Sequence, residues 1–260
     1  MRMSAPAPVP APVPAPVPVP APSAPPKLAG LSVVVPAFNE EGSLERVVRA
    51  VKRVAADIAA EHEVLIVDDG SRDATPRIAA RLASELEGVR VIRHPFNLGF
   101  GAGQKSGFGH ARHEYVTLVP ADGQFDIDEL RRYLGPMAEA DVVVGFRGRR
   151  KDPLRRRVNT RIFRLIMRLL FGVRLHDINW VKLFRKSILD GIEIEFKGIG
   201  VDAEVIVKAK QKGCRFAEVE VSYLPRTTGR STGDRLLNVI ITVLELLVLF
   251  YRVRIRGSRP

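Results

Sequence analysis

Short apolar runs rich in β-branched residues alternate with amphipathic stretches between residues 31 and 147. The runs are LSVVVPAF (31–38), EVLIVDD (63–69), VRVIRH (89–94), YVTLVP (115–120) and DVVVGFR (141–147). The stretches between them, such as SLERVVRAVKRVAADIAA and DELRRYLGPMAEA, repeat apolar residues with the period of a helix. Continuous apolar strands separated by amphipathic helices are typical of a parallel sheet covered on both faces. The pattern predicts an α/β domain with at least five strands before residue 147.

The N-terminal segment 1–30 has a different pattern. Proline stands at nearly every second position of its central part, which disfavours both helices and sheet ladders, and no apolar run resembles a signal sequence. We predict a disordered polyproline-II arm over residues 1–30, more typical of a spacer than of a docking ligand, followed by the main domain over residues 31–232.

Two later segments combine apolar and basic residues. The stretch LRRRVNTRIFRLIMRLLF, from Leu154 to Phe171, predicts a basic amphipathic helix that suits an anionic membrane surface. A helix packed on its own domain with a solvated arginine face is an equal alternative. LLNVIITVLELLVLFYRVRIR is short for a membrane span and contains Asn238 and Glu245. We predict an amphipathic membrane-surface helix and a basic tail over residues 233–260.

Charge and cysteine content narrow the classes of function. The 260 residues include 41 Lys and Arg against 29 Asp and Glu, which gives a net charge of +12. This balance favours anionic partners such as phosphorylated substrates or an anionic membrane. We do not expect nucleic acid as a partner, because no aromatic platform or recognition motif accompanies the charge. The single cysteine, Cys214, excludes an internal disulfide and fits the cytosol.

Polar residues follow three of the predicted strands. They are Asn39, Glu40 and Glu41 after the first strand, Asp68, Asp69 and Asp73 after the second, and Asp122, Gln124 and Asp126 after the fourth. Ligands of such sheets bind beyond the carboxyl ends of the strands, so we expect a binding site at this edge. One acidic loop alone would be explained by helix capping, as Ser71 or Asp73 would cap ATPRIAARL. Three acidic loops at one edge favour a site.

The glycine-rich segment FNLGFGAGQKSGFGHA leaves two interpretations. It lacks the dinucleotide-binding spacing, because Gln104 follows Gly103, and the chain has no Walker GK[ST] sequence. It is either a tight turn that begins a helix or a loop whose backbone N–H groups approach a ligand. His110 and His113 are three residues apart on a predicted helix and lack a third ligand, so we expect them on its solvated face.

Several segments together resemble a known enzyme family. VVVPAFNEEGSL, VLIVDDGSRDAT, NLGFGAGQKSGF and ADGQFD are similar, in order and spacing, to the motifs of family 2 glycosyltransferases with the nucleotide-diphospho-sugar transferase (GT-A) fold. DVVVGFRGRRKDP, HDINWVKLFRKSIL and the segment from Val201 to Thr232 resemble dolichyl-phosphate and polyprenyl-phosphate sugar synthases. The resemblance covers residues 31–232 and implies an α/β GT-A fold, with a mostly parallel central sheet flanked by helices.

The resemblance implies transfer of a sugar from a nucleotide-diphosphate sugar to polyprenyl or dolichyl phosphate, with inversion at the anomeric carbon. It assigns Pro36, Ala37, Asn39 and Glu41 to the base and ribose pocket, and Asp68 and Asp69 to the nucleobase N–H and the ribose hydroxyls. Further contacts to the donor or its phosphates would come from Gly99, Lys105, Arg147, Arg226 and Arg230. Thr232 replaces a lysine that is common after the last of these residues.

The resemblance also implies a divalent cation, Mg²⁺ or Mn²⁺, with Asp122 and Gln124 as its protein ligands. The family commonly has Asp-Ala-Asp here, whereas this chain has Pro120-Ala121-Asp122, so one acid is missing. Such ions bind through one or two carboxylates together with substrate phosphates. We therefore expect metal binding at reduced affinity. A catalytically silent domain that binds a nucleotide sugar or a membrane partner is the alternative.

Asp122 and Asp177 are the candidate catalytic residues. Asp177, in HDINW, matches the acidic residue that follows the interfacial helix of the family and would lie near the acceptor. A lipid phosphate is already ionised at neutral pH and needs little general-base help. We expect Trp180 in the core and Lys182 and Arg185 in solvent. Paired transmembrane helices of some relatives are absent, which predicts a peripheral enzyme on the cytoplasmic face of the membrane, with an integral membrane protein as a possible partner.

Overall fold

A computed structural model describes residues 27–148, 154–198, 200–222, 224 and 236–255. Within these ranges, seven strands form one sheet in the order β3-β2-β1-β4-β6-β5-β7. The strands are β1 (Leu28–Ala37), β2 (Ala59–Asp68), β3 (Val89–Arg93), β4 (Tyr115–Leu118), β5 (Val142–Arg147), β6 (Lys182–Arg185) and β7 (Phe216–Val221). Only β6 runs antiparallel to its neighbours in this described sheet. The predicted α/β class with a mostly parallel sheet is confirmed.

Helices cover both faces of the sheet. They are α1 (Leu44–Ile58), α2 (Thr75–Glu85), α3 (Phe100–His110), α4 (Leu134–Met137), α5 (Leu154–Phe171), α6 (Lys186–Asp190), α7 (Val201–Gln211) and α8 (Leu236–Phe250). A 3₁₀ helix (Ile127–Tyr133) precedes α4, and a π-helical turn (Tyr251–Ile255) follows α8. Pro136 has no N–H to donate within a helix, which explains why DELRRYLGPMAEA forms two short helices instead of the continuous predicted one.

Alternating strand residues divide the core into two layers. Val33 and Val35 of β1 face the layer that contains α1, whose apolar residues recur three and four positions apart. Val34 faces the opposite layer, which contains α3, α5, α7 and α8. Because every strand of the inner sheet buries both faces, its sequence is continuously apolar. The carboxyl ends of the parallel strands remain available at one edge.

Element boundaries differ from the sequence-based expectation at three places. β1 begins at Leu28, before the predicted domain boundary at residue 31, and residues 1–26 of the predicted arm lie outside the described ranges. α1 ends at Ile58 because the backbone extends from Ala59 into β2. α3 begins at Phe100 and ends at His110, so His113 is not helical. The five strands predicted before residue 147 are all present.

Helices α5 and α8 both pack on the domain and meet at their C-terminal ends. The rings of Phe171 and Phe250 meet edge to face at 6.2 Å, and Met167 and Leu246 are buried beneath them. Both helices also carry exposed apolar residues, which we call the exposed apolar face: Val158, Ile162, Leu165, Leu169, Ile241, Val243, Leu244, Leu247, Val248 and Tyr251. The predicted helix at 154–171 is thus present, with one apolar side packed on its own domain and another exposed.

Helix α8 is attached to the domain through a carboxylate as well as through apolar contacts. Glu245 Oε2 accepts a hydrogen bond from the backbone N–H of Gly200 at 3.1 Å, directly before α7. Burial raises the pKa of Glu245, and the nearby Glu204 acts in the same direction. No helix in the described ranges has both the length and the hydropathy needed to cross a membrane.

Candidate active site

The loops that follow β1 and β2 are joined by hydrogen bonds between side chains and backbone. The N–H of Asn39 donates to Ser71 Oγ at 3.0 Å, and Asn39 Oδ1 accepts from the N–H of Arg72 at 2.9 Å. Asn39 has a φ of +56°, a left-handed conformation that asparagine tolerates better than most residues. Glu41 Oε2 accepts from the N–H of Ala74 at 2.8 Å. These bonds hold the two loops in one arrangement at the sheet edge.

Asp69 fixes the next loop, between β3 and α3. Its two carboxylate oxygens accept hydrogen bonds from the N–H groups of Leu98 and Gly99, each at 2.9 Å. His94 Nδ1 lies 2.7 Å from Asp69 Oδ1, and His94 Nε2 lies 2.8 Å from Ser106 Oγ. Asp69 is buried, and both of its oxygens have backbone partners. Its geometry favours a supporting role rather than the predicted contact with the nucleotide.

These three loops enclose a cavity of about 420 Å³, which we call the loop groove. Its lining is Phe38, Asn39, Gly70, Ser71, Arg72, Arg93, Pro95, Phe96 and Asn97. Phe38 is 43% exposed and Phe96 is 62% exposed. Gly70 has a φ of +70°, and a Cβ there would come within 2.4 Å of the Phe96 backbone. Exposed aromatic rings with guanidinium and amide groups suit a planar base bearing polar substituents.

Asp68 lies below the loop groove. Its side chain is fully buried, its Oδ1 accepts from the N–H of Ser71 at 3.0 Å, and its Oδ2 lies 3.3 Å from Arg93 Nε. Within the described part of the chain, Oδ2 has no partner with hydrogen-bond geometry. Asp68 therefore brings a negative charge to this region, and the positive charge of the Arg93 guanidinium balances it.

A second cavity of about 440 Å³, which we call the central cavity, lies beside α3, between the sheet edge and helices α5 and α8. Its polar lining includes Gln104, Asp122, Gln124, Arg147, Asn159, Thr160, Asp177, Lys182 and Asp202. Its apolar lining includes Leu118, Ile162, Phe163, Ile166, Phe184 and Val243. The predicted catalytic and metal-ligating residues are therefore brought together in a cavity whose lining contains both polar and apolar side chains.

The turn after β4 carries the candidate metal ligands. Asp122 Oδ1 accepts from the N–H of Gln124 at 3.0 Å, and both side chains line the central cavity. Gly123 has a φ of +71°, and a Cβ there would lie 2.5 Å from Arg46 Nη2. No group of three or more His, Cys, Asp or Glu in the described ranges could hold a metal. One carboxylate and one amide oxygen fit a hard divalent ion that also binds substrate phosphates and water.

Arg147 is held on two sides. Its Nε donates to Asp177 Oδ2 at 2.8 Å, and its Cζ lies 4.1 Å from the centre of the Trp180 ring. Asp177 Oδ1 also accepts from the N–H of Asn179 at 3.2 Å. A guanidinium with a carboxylate partner and an aromatic surface has few conformations to lose when it binds an anion. Trp180, expected in the core, packs against the core and also lines the cavity.

Lys182 is buried, which contradicts the expectation that it faces solvent. Its Nζ donates to Asp202 Oδ1 at 2.8 Å and to the Trp180 carbonyl at 2.9 Å. Arg185 is half-buried and donates to Glu114 and Tyr115. A charged side chain is buried only when an opposite charge and hydrogen bonds compensate it, and the sequence near Lys182 contains no sign of Asp202 as the partner.

Several residues that were predicted to contact the nucleotide-sugar donor make contacts within the protein. Pro36 and Ala37 end β1, and their carbonyls accept from the N–H groups of Ala121 and Asp69 at 3.3 and 2.9 Å. Lys105 Nζ donates to the Ile194 carbonyl at 3.0 Å and lines neither cavity. Gly99 gives its N–H to Asp69, and its φ of +96° and the nearby Lys197 carbonyl explain why glycine is needed.

The other predicted site residues lie as follows. Asp122, Gln124, Arg147 and Asp177 meet in the central cavity, and Asn39 lines the loop groove. Glu41 supports the adjoining loops, as described above. Arg226 and Arg230 lie outside the described ranges.

Other residues of the two cavities were not predicted from the sequence. They are Phe38, Phe96 and Arg93 in the loop groove and Gln104, Lys182 and Asp202 in the central cavity. The first two had a usable signal, because a large aromatic residue in a polar loop after a strand has no core to enter. The central-cavity residues come from three distant segments and share no local motif.

A mostly parallel sheet with acidic loops and two cavities at the carboxyl ends of its strands is the architecture of GT-A glycosyltransferases. The chain belongs to glycosyl transferase family 2, whose family model matches residues 32–192.

Relatives of the chain include enzymes that use lipid phosphates. It is 31% identical over 223 residues to an uncharacterized glycosyltransferase of Mycobacterium tuberculosis, covering 83% of this chain and 95% of the relative. Identity is 30% over 229 residues with polyprenol monophosphomannose synthase of Mycolicibacterium smegmatis, covering 82% and 85%. It is 31% with undecaprenyl-phosphate 4-deoxy-4-formamido-L-arabinose transferase of Pseudomonas aeruginosa, covering 84% of this chain and 65% of that enzyme.

The fold is also found in solved structures. Glucosyl-3-phosphoglycerate synthase of Mycobacterium tuberculosis, in complex with Mn²⁺, uridine-diphosphate-glucose and phosphoglyceric acid, aligns with a TM-score of 0.67 at 18% identity. The alignment covers 85% of this chain and 80% of that one. At this identity the likeness establishes the fold alone.

Proposed function

We propose that the protein transfers a sugar from a nucleotide-diphosphate sugar to a polyprenyl or dolichyl phosphate at a membrane surface. The observation that carries the proposal is the central cavity, where Asp122 and Arg147 share one space with apolar side chains of α5 and α8. A polar end for a diphosphate and an apolar wall for a lipid chain are what such a reaction requires. The names of two relatives, which include undecaprenyl phosphate and polyprenol monophosphomannose, support the same acceptor class.

The nucleoside of the donor binds in the loop groove. The exposed rings of Phe38 and Phe96 provide surfaces for stacking, and the Asn39 amide provides a donor and an acceptor for base or ribose. Asp68 is buried beside the groove and holds two residues that line it, through the Ser71 N–H and the Arg93 guanidinium. Arg72 gives this region a positive charge that favours the donor phosphates, while Arg93 balances the charge of Asp68.

Asp122 and Gln124 hold a divalent cation, Mg²⁺ or Mn²⁺, together with the donor diphosphate. When bound, the ion neutralises the negative charge that develops on the leaving diphosphate. The guanidinium of Arg46, next to Gly123, adds a fixed positive charge beside this turn. Because the protein supplies only one carboxylate here, we expect the cation to bind more tightly in the presence of the donor than alone.

Arg147 positions the acceptor phosphate. A phosphate oxygen attacks the anomeric carbon from the face opposite the leaving group, and the bond between that carbon and the donor diphosphate breaks, which inverts the configuration. The attacking oxygen is already ionised, so no proton has to be removed. Asp177 acts through Arg147, since it holds the guanidinium at 2.8 Å in the cavity, and is therefore a positioning residue rather than a base.

The exposed apolar face brings the cavity to the membrane. Arg161, Arg164 and Arg168 are exposed on α5 beside this face, so both the apolar and the anionic parts of a lipid surface have partners. We propose peripheral binding at the cytoplasmic face of the membrane. The same surface offers a site for an integral membrane partner, since it has no cover within the described chain.

A transfer assay tests the proposal. The full chain is incubated with a panel of radiolabelled nucleotide sugars, Mg²⁺ or Mn²⁺, and vesicles that contain polyprenyl phosphate. We expect label in the organic extract with polyprenyl phosphate and none with the matched polyprenol, which lacks the phosphate. Label transferred only to a soluble acceptor such as 3-phosphoglycerate would contradict the lipid acceptor. Absence of transfer from every donor would favour a silent binding domain.

A further inference from the structure

Three polar side chains line one part of the central cavity, and the proposed steps above use none of them. Gln104 of α3, Lys182 of β6 and Asp202 of α7 are 2%, 4% and 7% exposed, and we call them the polar floor. Lys182 Nζ and Gln104 Nε2 both donate to Asp202 Oδ1, at 2.8 and 3.3 Å. The residues come from three segments of the chain and converge on one carboxylate oxygen.

Stability alone does not explain the polar floor. The desolvation of two buried charges offsets most of their attraction, so an apolar set of the same volume would often be as stable. Gln104 Oε1 is buried without a hydrogen-bond partner among the described residues, which is unfavourable in the folded protein. Leu118 and Phe184, which also line the cavity, show that apolar side chains form part of its lining. Polar side chains that line a cavity and lack hydrogen-bond partners point to a ligand that supplies those partners.

The unused bonding capacity describes that ligand. Gln104 Nε2 donates to Asp202, so Gln104 Oε1 is left as an acceptor. Within the described chain, Asp202 Oδ1 accepts the hydrogen bonds from Gln104 and Lys182, so Oδ2 is a second acceptor. Lys182 uses two of its three protons, on Asp202 and on the Trp180 carbonyl. The floor thus offers two acceptors and one donor, and its formal charges cancel.

Hydroxyl groups match this set, because each one both donates and accepts. An anionic group would face the Asp202 carboxylate, and a purely apolar group would leave all three residues unsatisfied. We propose that Gln104, Lys182 and Asp202 bind the hydroxyls of the donor sugar and select a neutral sugar over an acidic one. This inference rests on the proposed function, which brings the donor diphosphate to Asp122 and Gln124 on the wall of the same cavity.

The variant Gln104→Met tests the proposal, because it keeps the length of the side chain and removes the acceptor. Calorimetry with the full chain and Mn²⁺ compares UDP-glucose with UDP, and GDP-mannose with GDP. We expect the affinity for the bound nucleotide sugar to fall about tenfold, the factor that corresponds to about 1.4 kcal/mol, and the affinity for its nucleoside diphosphate to stay unchanged. The matched control is Gln211→Met, the same substitution at an exposed position of α7.

A series of deoxy donors provides the second measurement. Wild type should bind at least one singly deoxygenated nucleotide sugar less tightly than the parent sugar, whereas Gln104→Met should bind those two equally. UDP-glucuronate, which carries a carboxylate, should bind wild type less tightly than UDP-glucose.

The outcomes separate the two proposals. If wild type binds no nucleoside diphosphate or nucleotide sugar, the proposed function fails and the inference fails with it. If nucleotides bind and Gln104→Met leaves sugar affinity unchanged, only the inference is wrong. An equal loss of affinity for sugar donor and nucleoside diphosphate would show a structural effect of Gln104 and would also overturn the inference.

Discussion

The loop groove and the central cavity lie at the same sheet edge and are built in different ways. The loop groove comes from three short loops, each directly after a strand, and hydrogen bonds such as those of Asn39 and Asp69 tie them together. The central cavity comes from side chains as far apart in sequence as Gln104 and Thr242. Contiguous motifs are therefore enough to build a nucleotide-sized groove, whereas a cavity for two substrates needs distant segments to meet.

The two regions also differ in their surroundings. The loop groove is open and edged by exposed aromatic rings, so its polar groups stay close to water. In the central cavity, the Lys182–Asp202 and Arg147–Asp177 pairs are largely buried beside apolar side chains. Electrostatic interactions are stronger where water is excluded. We therefore expect substitutions in the central cavity to lower the transfer rate and substitutions around the loop groove to lower binding and stability.

The largest effect is expected for Asp122→Asn in the central cavity. Asparagine keeps the hydrogen bond to the Gln124 N–H and loses the charge that holds the cation, so transfer should fall by at least about 100-fold with little change in thermal stability. Initial rates and circular dichroism measure both quantities. The matched control is Asp128→Asn, an exposed carboxylate in the next helix, which should keep full activity. Normal turnover by Asp122→Asn, or in excess chelator, would contradict a catalytic metal at this turn.

The next effect concerns the loop groove. Asp69→Ala leaves the N–H groups of Leu98 and Gly99 without their partner and should lower the free energy of unfolding by about 1–3 kcal/mol. Because the same loop lines the groove, affinity for a nucleoside diphosphate should fall as well. Urea denaturation and calorimetry provide the measurements. Asp73→Ala, which removes bonds to the N–H groups of Thr75 and Glu41 from a less buried carboxylate, is the milder control. Equal stability of wild type and Asp69→Ala would refute the supporting role.

Substitutions in the exposed apolar face should affect the lipid acceptor and leave nucleotide binding unchanged. The double variant Leu165→Gln/Leu169→Gln removes two exposed apolar side chains and should weaken sedimentation with anionic vesicles about tenfold, since burial of one leucine in lipid contributes about 1.5–3 kcal/mol at most. Transfer to polyprenyl phosphate should fall in parallel, while affinity for the nucleoside diphosphate should not change. Salt should weaken wild-type binding without abolishing it, because only the arginine contribution is screened. If neither the double variant nor added salt changes vesicle binding, this face is excluded as the membrane contact.

A gain of function sharpens the description of the metal site. Pro120→Asp adds the carboxylate that the family motif commonly has, on a residue that lines the central cavity. Affinity for Mn²⁺ should rise about tenfold, equivalent to about 1.4 kcal/mol. Titration with Mn²⁺ in the presence and absence of UDP measures the change. Asp128→Asn again serves as the control, and an unchanged affinity would place residue 120 outside the coordination sphere.

The smallest effect is expected for Glu245, which joins α8 to the backbone directly before α7. Burial raises the pKa of Glu245 above its ordinary 4.5, so the folded protein binds this proton more tightly than the unfolded chain does. Its contribution to stability is therefore fully present below pH 4.5 and is lost as pH rises through the raised pKa. Glu245→Gln keeps an acceptor for the Gly200 N–H and removes this titration. The melting temperature of the variant should exceed that of wild type increasingly as pH rises through that window.

An exposed carboxylate gives the matched control for that titration. Glu139→Gln, on the surface after α4, should follow the wild-type pH profile. A difference between Glu245→Gln and wild type that does not change with pH would show that the burial of Glu245 has no thermodynamic consequence.

Much of the fold was predictable, and about half of the candidate site was. The five early strands and the helix from Leu154 to Phe171 follow from local periodicity, and β4 ends just before the turn that presents Asp122 and Gln124. The expectation that Lys182 faces solvent was wrong, and the donor contact of Lys105 stays a prediction. Lys105 bonds the Ile194 carbonyl away from both cavities, and Lys182 enters the interior because Asp202 lies there to receive it. A residue type is visible in a sequence, but its partner is not.

The sequence alone determined five of the seven strands of the described sheet and the edge where the acidic residues gather, because hydrophobic periodicity and turn residues act over a few positions. The tertiary structure alone decided which carboxylates remain available to a ligand. Both oxygens of Asp69 accept from the Leu98 and Gly99 N–H groups, whereas Lys182 and Gln104 share a single oxygen of Asp202. The physical reason is that a buried polar group must find partners wherever the fold places them, and those partners come from distant parts of the chain.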